Sequence, residues 1–463
     1  MDNTTDFVTG DMWTMLPATT RGQWNGVGGM DHSGGNGAGP GAETGTEYDV
    51  LIIGARVAGA SLALLLGQQG HRVLLVDRDT FPSDTLSTHY VGGPGIAALQ
   101  HLGVLADLEA VGFRRLVRNR TWVEDCLFEA PAGPADAYGL APRRDALDSL
   151  LIRHARERGG VAFQARTHAE GLCEADGRVV GAYLRGADGA RRLVRARVVV
   201  GADGKYSKVA EWVKAERYEA VPAMRPAYYG YFHGFTPLPE PALEILFVRN
   251  QIGFVFPMRP DEDCLALEFQ PEDFEAFRVD PLATFLERFG RLPGMAARLA
   301  GARLEGKLLG TRGIENRFHK PYGPGWALAG DAGYLKDPAT GTGIGDALTQ
   351  AFPLAAALDA ALRGGDWETN LAAYQRTRDA ALLPMYRFTL DATQLRDAPP
   401  ESLAWLRAAT MSPHVCRQVM YWLPSVLATG LPPHLAPMVR TLAGYLGAPA
   451  DVVPPVVMPP ARA

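Results

Sequence analysis

A chain of 463 residues with 47% hydrophobic and 21% charged residues is long enough to build two or three packed regions, and its net charge of −5 is that of an ordinary soluble protein. No basic run suits it to nucleic acid, no acidic tail to a basic partner, and no window of about 20 uninterrupted apolar residues to a membrane span. The four cysteines, Cys126, Cys173, Cys264 and Cys416, show neither CxxC nor CxxH spacing. That argues against a zinc or iron–sulfur centre and against a disulfide framework, and fits reduced thiols in a cytoplasmic protein.

Residues 1–46 include GVGGMDHSGGNGAGPGAETGTE, which is Gly-rich, polar and without periodicity. This predicts a flexible leader rather than a signal peptide, because no basic start precedes an apolar block. The folded part is expected to begin near Glu47.

From Tyr48 to Arg78 the chain reads strand, glycine turn, helix, strand. An apolar run ends at Gly54, a helical spacing over 58–69 stops at Gly70, and a second apolar run over 72–76 is closed by Asp77. Such a unit puts a helix N-terminus beneath a pyrophosphate and a carboxylate beside ribose hydroxyls. Of the three glycines in GxGxxG, the first and third are Gly54 and Gly59, but Arg56 replaces the second. Its guanidinium is expected to contact the phosphates, with Arg78 beside the same site.

The stretch RARVVVGADGKYSKVAEWV, 195–213, gives a second strand, turn and helix, with Asp203 and Gly204 at the bend. Between 227 and 269 the pattern changes to alternating strands over 227–235, 243–248, 252–258 and 264–269, with 116–124 as a further strand. These predict an antiparallel sheet forming one wall of a pocket, covered by one or two helices over 273–299. On its first strand Tyr229, Tyr231 and His233 should share a face. Arg259, at a strand end, suits a substrate carboxylate or a surface acid. A third motif, GDAGYLKDPATGTGIG, follows a short strand over 326–329 and opens an apolar helix from about Asp346. Its glycines can present N–H groups to an anion or a polarised ring carbonyl, and Asp331 at a strand end can hold a polyol hydroxyl. The last hundred residues read as helical with Pro-rich connections. Their apolar patch MYWLPSVLATGLPPHLAPMV suits a lid, a homodimer face or membrane-surface contact, with plain helix packing as the base case.

The order GxxxxG with a terminal acid, then GADGxxS, then GDAxxxxxPxxGxG resembles the para-hydroxybenzoate hydroxylase-like FAD superfamily, over about Tyr48 to Leu358. That group holds flavoprotein monooxygenases, flavin-dependent halogenases and geranylgeranyl reductases. The resemblance implies an α/β fold: a Rossmann-like FAD-binding domain, an inserted antiparallel-sheet substrate domain and a C-terminal helical region. The expected plan places FAD-binding segments at 47–115, 141–220 and 311–359, substrate segments at 116–140 and 221–310, and the helical region at 360–463. It gives Gly54, Gly59 and Asp77 to the ADP half of FAD, Arg144 to the cofactor linker, and Asp203 to pyrophosphate and ribose. Asp331 would bind ribityl, and Pro338, Gly341, Thr342, Gly343, Ile344 and Gly345 would line the flavin ring. The loop after Asp79 would run back toward the flavin, making His89 the titratable group to suspect beside it, with Tyr231 and His233 as a second polar group. An unperturbed imidazole near ~6.5 could move a proton at working pH.

The resemblance further implies a monooxygenase of secondary-metabolism type. It would use NADH or NADPH, O2 and a flavin C4a-hydroperoxide to hydroxylate or epoxidise an organic small molecule. Two departures open alternatives. The third motif has Gly333–Tyr334 and Gly345 where monooxygenases carry other residues, which leans toward the reductase and halogenase branches. Against a halogenase, IGFVFPMR lacks both tryptophans of the WxWxIP pattern, and no convincing lysine follows the first cofactor unit. A reductase of C=C bonds is therefore the main enzymatic rival, and a FAD-stabilised scaffold the non-enzymatic one.

Overall fold

The computed structural model describes residues 48–133, 136–394, 400–417, 419 and 438–441. The glycine-rich leader and nearly all of the apolar patch near the C-terminus lie outside the described residues.

The first motif forms β1 (Tyr48–Ile53), α1 (Val57–Gln68) and β2 (Val73–Val76). Next come α2 (Gly93–His101), α3 (Leu105–Ala110), β3 (Arg118–Val123) and β4 (Cys126–Pro131). The chain returns through α4 (Arg144–Gly159), β5 (Ala162–Gln164), β6 (His168–Ala175), β7 (Arg178–Arg185), β8 (Arg191–Gly201) and the short α5 (Lys208–Trp212). A run of strands follows: β9 (Arg217–Val221), β10 (Ala227–His233), β11 (Ala242–Val248), β12 (Gln251–Arg259) and β13 (Glu262–Glu268). Three short helices, α6 (Phe274–Phe277), α7 (Pro281–Gly290) and α8 (Met295–Leu299), lead to β14 (Arg303–Thr311). The last strands are β15 (Asn316–His319), β16 (Tyr322–Gly323), β17 (Trp326–Leu328) and β18 (Tyr334–Leu335). Helices α9 (Gly343–Leu362), α10 (Trp367–Thr393) and α11 (Pro400–Thr410) end the described chain.

Strands β17, β8, β1, β2 and β5 lie side by side in parallel, with Leu51 opposite both Leu74 and Val199. β1 is apolar on both faces because both are covered. Val50 and Ile52 face the core of α1, α4 and α9, whereas Leu51 and Ile53 face Val179, Ala182 and Leu184 of the antiparallel β6–β7–β8 meander. This meander was not foreseen from the sequence.

The second sheet has the order β14-β10-β13-β12-β11-β3-β4. The four expected strands are present, but the sheet is mixed: β3 runs parallel to β11. Its outer face carries Phe232, Leu246 and Leu265 against Phe277, Phe285 and Phe289 of α6 and α7. The inner face turns Tyr229, Tyr231, Phe254 and Phe256 toward the first sheet. Period-2 alternation thus divides one strand between a structural core and a cleft.

Candidate active site

Where the two sheets face each other, a cleft of about 550 Å³ opens, a size suited to a small molecule or cofactor. At one end it is lined by Gly54, Arg56, Asp77, Arg78, Arg144 and Asp203; at the other by Tyr229, Phe254, Phe256, Leu335 and Leu382. Asp331, Pro338, Gly343 and Ile344 lie along it as well, so residues of all three sequence motifs reach one cavity.

The glycine turn exists because chains cross there. Gly54 has φ +107°, and a Cβ on it would sit 2.3 Å from the Ala202 carbonyl oxygen. A Cβ on Gly59 would meet the Gly54 carbonyl oxygen at 1.8 Å. At the far motif the glycines serve another purpose. Added Cβ atoms on Gly343 and Gly345 would meet nothing within 4 Å. These residues form the first turn of the 20-residue α9, which starts three residues earlier than expected. The first N–H groups of a helix have no partner within it, so this bare turn can receive negative charge. Gly341 and Thr342 precede the helix, and the Thr342 hydroxyl is engaged by Lys336 Nζ and by Asp346, 3.3 Å away. Lys336 Nζ itself lies 2.6 Å from Asp346 Oδ2.

The acids divide into two kinds. Asp77 is buried at the end of β2, and both its oxygens are in use: Oδ2 accepts from Ala55 N at 2.7 Å and Oδ1 from Asp79 N at 2.9 Å. Asp203 accepts from Ser207 Oγ at 2.6 Å and Lys208 N at 2.7 Å, capping α5. Asp331, by contrast, accepts no hydrogen bond among the described residues, although it lines the cleft. The residue is exposed to the open cleft, where desolvation by the surrounding walls raises its carboxyl above the ordinary range, with Arg144 the leading influence in the other direction. Sugar or ribityl hydroxyls would satisfy it.

Arg56, expected to contact the phosphates, lines the cleft and is already tied to protein acids. Its Nη1 lies 2.8 Å from Asp148 Oδ2, and its Nη2 lies 3.0 Å from Asp79 Oδ2 and 3.2 Å from Ser83 Oγ. Arg144 grips the same Asp148 at 3.0 Å. Arg78 is largely exposed at the cleft mouth, 3.9 Å from Asp79.

The suspected proton-moving residues are placed differently from one another. His89 is fully buried with φ 59°, edge-on to Tyr229 and Tyr231, behind the cleft wall formed by Thr85 to Thr88. Its Nε2 lies 2.8 Å from Tyr231 Oη, which donates to Asp84 Oδ2 at 2.6 Å. Burial, more than the opposing charge of Asp84, pushes the imidazole down to about 3. His89 is therefore neutral near pH 7, not poised to titrate. Burial likewise pushes the Tyr231 phenol well above its usual range, while Arg143 lies over its ring at 3.8 Å. His233 is half-buried and does not line the cleft: it lies 2.9 Å from Glu305 in a shallow surface pocket with Arg143, Arg259 and Glu262. Arg259 is taken by Glu262 at 2.6 Å, so its partner is a protein acid.

The sequence reading missed Glu268, Lys336, Asp337, Tyr374 and Arg378, all of which line the cleft. Lys336 and Asp337 were visible inside KDPATGTGIG. Tyr374 and Arg378, on α10, carried no motif to mark them.

Residues 47–249 match the FAD binding domain family. That segment carries the FAD-binding domain found in para-hydroxybenzoate hydroxylase-like flavoproteins. It is similar to a 1H-pyrrole-2-carbonyl-[peptidyl-carrier protein] brominase of Pseudoalteromonas luteoviolacea (strain 2ta16), at 25% identity, covering 71% of this chain and 81% of the relative. A digeranylgeranylglycerophospholipid reductase of Methanosarcina acetivorans is 27% identical, over 69% of this chain and 77% of its own length. Aklavinone 12-hydroxylase of Streptomyces purpurascens is 28% identical, over 78% and 71%. Three reaction types thus share this flavoprotein superfamily. The matched domain is a FAD-binding one, and the open helix turn, the cleft-facing Asp331 and the crossing glycines fit that cofactor. No helix among the described residues is long and apolar enough to cross a membrane.

Proposed function

We propose that the protein is an NAD(P)H-dependent FAD monooxygenase that inserts oxygen into an organic, ring-bearing small molecule. The observation that carries this reading is the apolar far end of the cleft. Phe254 and Phe256, stacked with centroids 5.7 Å apart, stand with Tyr229, Leu335 and Leu382 beside the loop that would hold the flavin. Bound FAD would supply hydride acceptance from NAD(P)H and the activation of O2. The protein contributes dryness and position: an apolar wall excludes water that would waste activated oxygen. The N–H groups of Gly343 to Gly345 offset negative charge on the bound ring, and Asp331 with Arg144 holds the cofactor's chain. His89, neutral and buried, positions Tyr231 and the loop over 84–88 against the sheet.

A halogenating role is disfavoured by the lysines. Of the lysines lining the cleft among the described residues, Lys336 is held by Asp346 at 2.6 Å and Lys208 by Glu211 at 2.8 Å, while Lys205 lies over the Tyr206 ring. Reduction of a C=C bond is the second reading, favoured by the KDPATGTGIG form of the third motif and by the reductase relative. Oxygen uptake separates the two. Purified flavin-loaded protein, given NAD(P)H and a panel of aromatic and isoprenoid substrates, should consume O2 in step with product. Product formed under strict anaerobiosis would replace the monooxygenase by the reductase.

A further inference from the structure

Two buried acids of the cleft stand outside the set of residues assigned to the cofactor. Glu268 ends β13 and is 2% exposed, and Asp337 is 0% exposed and immediately precedes Pro338 of the third motif. Both line the cleft. Asp337 is fixed by its own backbone: its N–H donates to Asn316 Oδ1 at 2.6 Å, and its Oδ1 accepts from Ala339 N at 3.0 Å. That leaves Asp337 Oδ2, which like Glu268 Oε2 is buried and receives no protein N–H or hydroxyl. The two side chains instead meet each other.

Two carboxylates in contact cannot both be ionised in a place from which water is excluded, so one proton stays on the pair. Burial, and then the charge of Asp337, raise Glu268 well above the carboxylate range, and burial raises Asp337 as well, so the pair as a unit keeps a proton. The nearest guanidinium, Arg225, is itself buried and donates to the carbonyls of Thr393 and, at 3.1 Å, of Asn250. It forms no ion pair with either acid among the described residues. Such a pair is costly to bury and contributes no cross-link that an amide would not supply. On the sheet the neighbours of Glu268 are apolar: Ala266 two residues earlier on β13, Ile252 and Ala227 directly opposite, and Phe254 facing Ala266. A ligand seated there meets aromatic rings and one polar group with acceptor capacity to spare.

We propose that the Glu268–Asp337 pair is the polar anchor of the substrate subsite, with Glu268 accepting a hydrogen bond from a hydroxyl or amino group on an otherwise apolar, ring-bearing ligand. This deepens the monooxygenase reading and rests on its placement of substrate at the far end of the cleft.

The test uses the flavin-loaded full chain, with naphthol and methoxynaphthalene as probes, because they match in shape and differ in the donor. Binding is read from perturbation of the flavin absorption band. The wild type should bind naphthol roughly tenfold more tightly, as one hydrogen bond to a carboxyl implies. Glu268→Leu should abolish the preference, and Glu268→Gln, which keeps a carbonyl acceptor, should retain part of it. In parallel, infrared spectra near pH 7 should show a protonated carboxyl band in the wild type that is missing in both variants. Binding of both probes equally, binding of neither, or a preference unchanged in Glu268→Leu overturns the proposal. So does absence of the band, which is read with or without flavin. A protein that shows the band but never takes up flavin defeats the cofactor assignment and leaves the acid pair standing.

Discussion

Arg56 Nη1 and Asp148 Oδ2 are 2.8 Å apart, and the same buried carboxylate is gripped by Arg144 from one turn away on α4. The residue that interrupts the glycine fingerprint is thus half of an internal lock. It joins the turn after β1 to α4 and, through Asp79 and Ser83, to the loop that leaves β2. Replacement by glycine would restore the usual fingerprint but cut these ties.

The lock predicts an order of costs. Arg56→Gly leaves Asp148 paired with Arg144, so it should lower unfolding stability by about 1–3 kcal/mol. Asp148→Ala leaves two guanidinium groups without their shared buried acid and should cost about 3–5 kcal/mol. Urea denaturation of the two flavin-free variants measures both. Equal costs would show that Arg144 does not compensate for the loss of Arg56.

The two kinds of acid in the cleft should separate in the same assay. Asp77→Ala frees the N–H groups of Ala55 and Asp79, so the flavin-free protein should lose about 1–3 kcal/mol and flavin should also be held less tightly. Asp331→Ala removes a carboxylate that is exposed to the cleft and makes no hydrogen bond among the described residues. It should leave flavin-free stability unchanged or raised while weakening flavin retention. A destabilised Asp331→Ala apoprotein would contradict its assignment to the cofactor.

His89 gives a pH signature with a definite sign. Its imidazole falls from about 6.5 in the unfolded chain to about 3 in the fold, because burial disfavours the cation. Between those values the unfolded state binds the extra proton, so stability falls as pH drops below 6.5, by up to about 1.4 kcal/mol per unit. Asp337, raised from 3.8 to about 6, acts in the opposite sense, its contribution falling as pH rises through that window. The measurement is therefore the difference between wild type and His89→Gln. The variant should lose one proton's worth of acid sensitivity, whatever pH-independent cost it incurs at φ 59°. Parallel stability–pH curves would mean that His89 is charged in the fold.

The cofactor half of this site was legible in the sequence because its requirements are backbone requirements. Crossing strands demand glycine at Gly54 and Gly59, and a strand end demands a short acid at Asp77, wherever the rest of the chain goes. The substrate half was legible as a pattern: alternation along 227–233 correctly put Tyr229 and Tyr231 on one face. It did not show that the strand outruns the cleft, so that His233 emerges on the surface beside Glu305. Nor did it show that Tyr229 and Tyr231 would enclose His89, since that contact spans 142 residues. β14, with its sequence RLEGKLLGT, escaped notice because it is a largely exposed edge strand with two glycines and little apolar alternation. Glu268 reads as a polar strand terminus, and only the approach of Asp337 gives it chemistry.

The glycines offer the sharpest contrast between residues that build the fold and residues that leave room for a ligand. Gly54→Ala would force a side chain onto φ +107° and to 2.3 Å from a backbone oxygen that cannot withdraw, so little folded protein is expected. Gly343→Ala meets no protein atom within 4 Å and sits in the first turn of a helix. Its added methyl should stabilise the flavin-free protein by about 0.4–1 kcal/mol, through the lower entropy of the unfolded chain. The same methyl would project where the bare helix turn meets the cofactor, and flavin affinity should fall by roughly tenfold or more, a loss of about 1.4 kcal/mol. Thermal melting without flavin and flavin titration by fluorescence quenching read the two effects separately. A Gly343→Ala protein that gains stability and binds flavin as tightly as the wild type would move the flavin away from the start of α9.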